Sequence, residues 1–214
     1  MIIAVDGPAA SGKGTVARAL ARHYDLPHLD TGLLYRAVAA AVRRLELDPA
    51  READAVAACD FDDLTLADPA LRTDEIGQLA SIVSAHPLVR AALLRRQQRF
   101  ARQPRGAVLD GRDIGTVIAP DADAKLFVKA TPATRARRRY AELQAHGASM
   151  SYDRVLADIR ARDRRDMRRD VAPLVMAVDA MLLDTSFLSI EASVQKAIAM
   201  VDGRVGRGTG EAQA

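Results

Sequence analysis

The apolar residues of this chain fall into two alternating patterns. Short unbroken runs at Ile2–Asp6, Ala107–Asp110, Ala124–Lys129 and Met181–Asp184 read as strands buried on both faces, because such runs leave no side for water. Between them, apolar positions recur at helical spacing. Helices are expected from about Gly14 to Tyr24, from Leu33 to about Leu45, from Thr73 through Ser84, and over Leu88–Arg102. Three more follow: Thr131 as cap with Pro132 at the first position, running to about Ala145; Ser151 as cap, to about Asp170; and Ser189–Val201. Strands alternating with helices predict an α/β fold with a mostly parallel sheet covered on both faces. Arg51–Leu71 is less regular and reads as an insertion with one helix and a short loop or hairpin. The glycine-rich tail, about 203–214, is expected to be disordered.

Composition narrows the setting. A length of 214 residues with 49% hydrophobic and 28% charged residues suits one folded domain, 1–214. The single cysteine, Cys59, cannot form an internal disulfide and suits a reducing compartment. No apolar run approaches the roughly 20 residues of a membrane helix, so a cytoplasmic monomer away from membranes is expected. Lysine occurs only at 13, 125, 129 and 196, so arginine supplies the rest of the 31 cations. Arginine suits bidentate phosphate recognition, although a codon bias explains surface copies equally well. The Arg-dense stretch 135–169 carries only Tyr140 and Tyr152 as aromatics, and Asp158, Asp163 and Asp166 interrupt its charge. That is a poor stacking platform, and no nucleic-acid partner is expected.

The stretch Gly7-Pro8-Ala9-Ala10-Ser11-Gly12-Lys13-Gly14-Thr15 fits G-x-x-x-x-G-K between the first strand and the first helix. Glycines let the main chain curl so that successive N–H groups face phosphate oxygens, and the helix start adds its positive dipole end. Lys13 then reaches the β- and γ-phosphates. A chance match in a glycine-containing turn is the bland alternative, and the flanking strand and helix argue against it. Gly14 stands where a Ser or Thr usually follows the lysine. The Mg2+ ligand is therefore open between the Thr15 hydroxyl and water held by acidic groups such as Asp110. ATP with Mg2+ is implied in either case.

Further motifs address the acceptor: Leu29-Asp30-Thr31-Gly32-Leu33-Leu34-Tyr35-Arg36, Asp110-Gly111-Arg112-Asp113, and Arg162-Asp163-x-x-Asp166-x-x-Arg169-x-x-Ala172-Pro173-Leu174. Asp179-Ala180 and Leu183-Asp184-Thr185-Ser186 complete the set. Through these segments, which span nearly the whole chain, the sequence resembles the bacterial cytidylate kinases of the P-loop nucleoside-monophosphate kinase group. The resemblance implies transfer of the ATP γ-phosphate to CMP or dCMP. It also implies a P-loop kinase fold: a five-stranded parallel sheet flanked by helices, with the core at about 1–50 and 88–202. A short acceptor-binding insertion would lie at about 51–87 and an Arg-rich lid at about 148–170. The chain departs from the family between Ala57 and Arg72, where Asp60–Leu71 leaves room for little more than one hairpin.

The resemblance also assigns residues. Thr31 and Arg36 lie near the acceptor nucleotide, with Arg36 on its phosphate; by spacing alone, Asp30 or Thr31 serves as well as a helix cap. Ser81, Arg90 and Asp113 face the cytosine edge, whose amino donor and adjoining acceptors are complemented by a carboxylate and a guanidinium. Arg112 takes the acceptor phosphate. Arg162, Asp166 and Arg169 share one helix face at i, i+4 and i+7, ordinarily a salt-bridge ladder. The resemblance gives Arg162 and Asp166 to the sugar and Arg169 to phosphate, with Arg165 and Arg168 as further candidates for the transferring group. Lys13, Arg112, Arg162 and Arg169 are the expected catalytic set. His23, His28, His86 and His146 show no ligand spacing and read as surface or packing residues. A kinase acting on AMP or UMP is the nearest alternative.

Overall fold

A computed structural model describes residues 1–145, 147 and 149–208. Five strands, β1 (Ile2–Asp6), β2 (His28–Asp30), β3 (Ala107–Gly111), β4 (Ala124–Lys129) and β5 (Met181–Asp184), form one sheet in the order β2-β3-β1-β4-β5. Every pairing is parallel. Among the described residues, eight α-helices surround it: α1 (Lys13–His23), α2 (Thr31–Arg44), α3 (Glu52–Ala57), α4 (Asp74–Val83), α5 (Pro87–Ala101), α6 (Pro132–Ala145), α7 (Tyr152–Arg168) and α8 (Ile190–Gly208).

The inner strands β1 and β3 bury both faces, as their apolar runs require. The edge strand β5 leaves Leu182 exposed, contrary to the burial on both faces expected of Met181–Asp184, because it has a neighbour on one side only. Ile3, Val5, Leu126 and Val128 pack against Val16 and Leu20 of α1 and against Ala197 and Val201 of α8. On the other face, Ala4 and Leu109 meet Ala101, Ile114 and Ile118. A separate apolar cluster joins Leu34 and Val38 of α2 to Ala55 of α3, Ile76 and Val83 of α4, and Leu93 of α5. The segment 51–87 therefore packs mainly on α2 and α5, with Leu29 of β2 against the same cluster.

Three further expectations change. β2 is a strand that periodicity misses, since its three residues include His28 and Asp30; its extended form comes from pairing with Val108–Asp110. The alternative of a hairpin in Asp60–Leu71 is excluded. Residues Asp63–Ala67 and Pro69–Arg72 form two 3-10 turns, capped by the carboxylates of Asp62 and Asp68 on the amides of Leu64 and Ala70. Side-chain caps of this kind offer the backbone an alternative to a strand ladder, and Pro69 has no N–H to give one. Finally, α8 continues beyond Val201 through Gly203 and Gly206 to Gly208, against the disordered tail expected from 203. Val205 packs on the sheet cluster, and Tyr24 Oη donates to Asp202 Oδ1 at 2.7 Å. This packing outweighs the roughly 1 kcal/mol that each helical glycine costs against alanine. Residues 209–214 lie outside the described residues.

Candidate active site

The carboxyl ends of β1, β2 and β3 face one region, and the motifs at Gly7–Thr15, Leu29–Arg36 and Asp110–Asp113 leave the sheet there, as ligand loops of open parallel sheets do. The loop from Gly7 to Gly12 curls at the end of β1. A Cβ on Gly7 would collide with the carbonyl oxygen of Val128, so only glycine lets the loop pass this close to β4. Gly12, at φ +89°, turns the chain into α1, and no side chain caps that helix start. Its first amides remain available for an anion. Ser11 Oγ is buried inside the loop without a hydrogen-bond partner. From behind, Thr185 Oγ1 donates to Ser11 O at 2.8 Å, and Arg138 Nη1 donates to the same carbonyl at 3.2 Å.

Lys13 Nζ lies 3.9 Å from Asp110 Oδ2. Burial, reinforced by the neighbouring Arg112 charge, pushes the lysine down to about 8, with Asp110 pulling the other way. The other oxygen of Asp110 is held by His28 Nε2 at 2.8 Å. His28 is thus part of the cluster around the loop, contrary to the packing role expected of it. The spacing could not show this, because β2 brings it alongside β3 through the sheet. His146 lies outside the described residues. Asp6, at the end of β1, accepts from the amides of Ile114 and Gly115, both at 2.8 Å. These bonds tie the segment after Asp113 to the phosphate loop. Burial pushes Asp6 up to about 7, although the two amides oppose the shift.

Beside the loop opens a cavity of about 370 Å³ whose lining includes Ala9, Lys13, Arg36, Ser81, Arg112 and Arg162. Its guanidinium groups come from α2, the turn after β3, α6 and α7, so chain segments far apart converge on one space. Arg162 is half-buried, its Nε is buried with no hydrogen-bond partner, and burial beside Arg112 pushes it down to about 10. Arg36 donates to Leu71 O at 2.6 Å and Thr73 O at 3.0 Å, while Arg165 donates to Ser81 Oγ at 2.6 Å. Arg139, which sequence reasoning missed, also lines the space and bonds Asp74 Oδ1 at 2.7 Å. Arg168 is exposed and outside the lining.

The remaining site residues form a buried polar chain behind the cavity. Arg90 donates to Asp113 Oδ2 and, through Nη1, to Ser84 O at 3.2 Å. Asp113 Oδ1 is 3.9 Å from Arg169 Nη2, too long for a hydrogen bond, so this oxygen keeps its accepting capacity. Arg169 Nε donates to Ala172 O at 2.6 Å, and Arg112 Nε donates to Asp166 Oδ2 at 2.9 Å. Burial raises Asp166, but the Arg112 and Arg162 charges outweigh it and hold the carboxyl below the usual range. Thr31 does not reach the cavity. Its hydroxyl donates to Asp110 O at 2.9 Å, while Asp30 caps α2 through Gly32 N at 3.0 Å.

The α6–α7 pair is held to the loop by Arg135, which sequence reasoning also missed. It forms a two-bond fork with Asp163, at 2.8 and 2.7 Å, donates to Ala130 O at 2.9 Å and reaches the loop through a bond to Ala9 O at 3.3 Å. Arg135, Arg138 and Arg139 recur at three- and four-residue intervals on α6, a periodicity that could have marked them as one functional face. Asp163→Ala strands the buried guanidinium. It is expected to cost about 3–5 kcal/mol, read as a lower urea midpoint at unchanged m-value.

Comparison with known proteins agrees with this geometry. The family model described as cytidylate kinase matches residues 3–203. A curated cytidylate kinase of Xanthobacter autotrophicus is 59% identical over 95% of this chain and 98% of its own length. Another, from Azorhizobium caulinodans, is 59% identical over 94% of this chain and 98% of its own. Among solved structures, an uncharacterised protein from Eubacterium ventriosum aligns with a TM-score of 0.57 at 15% identity, covering 95% of this chain and 99% of that one. That likeness concerns the fold alone. With that family model matching residues 3–203 and these relatives matching nearly its full length, the chain belongs to the cytidylate kinase family of nucleoside-monophosphate kinases.

Proposed function

We propose that the chain transfers the γ-phosphate of ATP to CMP or dCMP in the cavity between the phosphate loop and Arg36, Arg112 and Arg162. The observation that carries this reading is the unpartnered Arg162 Nε, buried at a cavity that Lys13 also lines. A half-buried guanidinium whose Nε finds no partner is costly, and an anionic ligand is what repays it.

The chemistry requires little beyond charge and position. The acceptor phosphate, with a second pKa near 6, is already an anionic nucleophile at neutral pH, so no general base is needed. The barrier is the approach of two polyanions in line. The Gly7–Thr15 loop and Lys13 hold the donor phosphates, Arg36 and Arg112 hold the acceptor phosphate, and Arg162 and Arg169 stabilise the transferring group and its surroundings. Asp166 orients Arg112 and, with Arg162, meets the sugar. Residues 51–87 form the acceptor side and residues 148–170 the lid that excludes water.

Magnesium fits this donor set. Among the described residues, no group of three His, Cys, Asp or Glu could cage a metal. The Asp110 carboxylate, close to Lys13, and the Thr15 hydroxyl instead suit an ion that arrives with the nucleotide and keeps most of its waters. Once bound, Mg2+ would neutralise charge on the donor phosphates. The enzyme acts as a cytoplasmic monomer, in keeping with its one cysteine, and no described helix is long and apolar enough to cross a membrane.

Phosphorylation of CMP, dCMP, UMP and AMP measured side by side tests the reading: CMP and dCMP should be fastest, and a preference for AMP would end it. A sharper result is expected from Asp113→Asn, which replaces the carboxylate proposed to accept from the cytosine amino group. Losing a buried charged partner costs about 2–5 kcal/mol, so kcat/KM for CMP should fall roughly 30-fold to several-thousand-fold. The value for UMP should fall less, and equal losses on both would take Asp113 out of base selection.

A further inference from the structure

A second cavity, of about 720 Å³, lies between α1, α2, α5 and the 3-10 turns, and shares only Asp30 with the first. Its size falls within the roughly 300–1,000 Å³ of small-molecule sites. Leu33, Leu66 and Phe100 give it an apolar floor, and Arg18, Arg72 and Arg99 stand exposed around it. None of these three makes an ion pair or a side-chain hydrogen bond among the described residues. The fourth arginine, Arg96, is engaged: it pairs with Asp63 and lies over the Phe61 ring, 4.6 Å from its centroid. The lining thus carries four arginines against two aspartates, and one of those, Asp30, is occupied as the cap of α2. Like charges gathered at the mouth of an apolar basin repel one another unless a polyanion joins them.

We propose that this cavity is a regulatory site for a nucleoside triphosphate, with base and sugar on Leu33, Leu66 and Phe100 and the phosphates at Arg18, Arg72 and Arg99. Arginine suits phosphate through paired donors, and an aromatic side chain beside an apolar floor suits a flat base. The effect reaches the active site through His28, which lines the cavity and holds Asp110 Oδ1 at 2.8 Å. Phosphates that attract the His28 ring release Asp110 toward Lys13, now 3.9 Å from its other oxygen. A carboxylate drawn onto Lys13 competes with the phosphates of ATP. Occupancy therefore weakens ATP binding by a fixed coupling factor and does not exclude ATP.

CTP is the probe, with the full chain, saturating CMP and constant free Mg2+. The KM for ATP should rise by at least about twofold as CTP increases and then level off, because a coupling free energy is finite. A KM that climbs linearly without a plateau is plain competition at the phosphate loop and overturns the proposal. In Arg18→Gln/Arg99→Gln, kcat/KM without CTP should stay within about twofold, while the CTP concentration for half effect rises at least about tenfold. A wild-type response in that variant overturns the site. The methyl NMR signals of Leu33 and Leu66 give a readout independent of turnover. They should shift with CTP at concentrations at least about tenfold below those needed with inorganic triphosphate. Equal titration by the two would remove the role of the apolar floor, and absence of any shift would remove the site.

Discussion

Arg162→Met is expected to slow phosphoryl transfer by about 10³-fold or more while raising the melting temperature of the unliganded protein. The two effects have opposite sign because one feature causes both. Arg162 Nε is buried without a partner, and the charge is pushed down to about 10 by burial and by Arg112, with Asp166 offsetting only part of the shift. A cation whose folded-state value is depressed destabilises the fold wherever it remains protonated. The unfolded chain holds more protons only between about 10 and the ordinary arginine value, so stability recovers only as pH rises through that window. At neutral pH the whole penalty is present. Methionine keeps much of the volume and removes the charge, and each 1 kcal/mol regained should raise the melting temperature by about 2–4 °C for a chain of this size. Calorimetry without ligand and steady-state turnover on CMP decide the matter. Unchanged turnover with a lower melting temperature would make Arg162 a structural residue.

Lys13→Ala should reduce kcat/KM by at least about 10³-fold and leave the CMP dissociation constant within about threefold, since the side chain serves the donor phosphates. Its titration adds a second signature. Burial and Arg112 bring Lys13 down to about 8, so above that pH the free protein holds it mostly neutral. Between about 8 and the ordinary lysine value the unfolded chain binds more protons, and unliganded stability should rise with pH across that range. ATP restores the charged form, because its phosphates favour an ammonium partner. At about pH 9, ATP binding should therefore draw close to one proton from solution, seen as buffer-dependent heat in calorimetry, and the variant should draw none. CMP affinity lost together with unchanged turnover would contradict the donor-side role.

Which parts of this site were legible in the chain follows from how each is built. The phosphate loop was, because its geometry is local: Gly7 avoids Val128 O, Gly12 takes a positive φ, and Lys13 opens α1. Arg36, Arg112 and Arg162, which line one cavity, were named through the motifs that carry them, although their partners were not. Thr31 binds a backbone carbonyl of β3, and Arg169 is tied to Ala172. The roles of Asp6 and His28 were invisible because each depends on a partner far along the chain, Ile114 and Gly115 for the one and Asp110 for the other; Arg135 left a periodic trace on α6, but its partner Asp163 did not.

By itself the sequence determined the alternation of buried strands and amphipathic helices, the anion-binding loop and the family. These depend on periodicity and on residues that act within a few positions of one another. The tertiary structure alone decided that His28–Asp30 is a strand, that Asp60–Leu71 turns instead of pairing, and that α8 runs on to Gly208. It also decided which arginines meet a carboxylate and which stand unpaired at a cavity. The reason is physical: such outcomes depend on what a segment packs against and on whether a buried charge finds a partner, and neither is encoded in spacing along the chain.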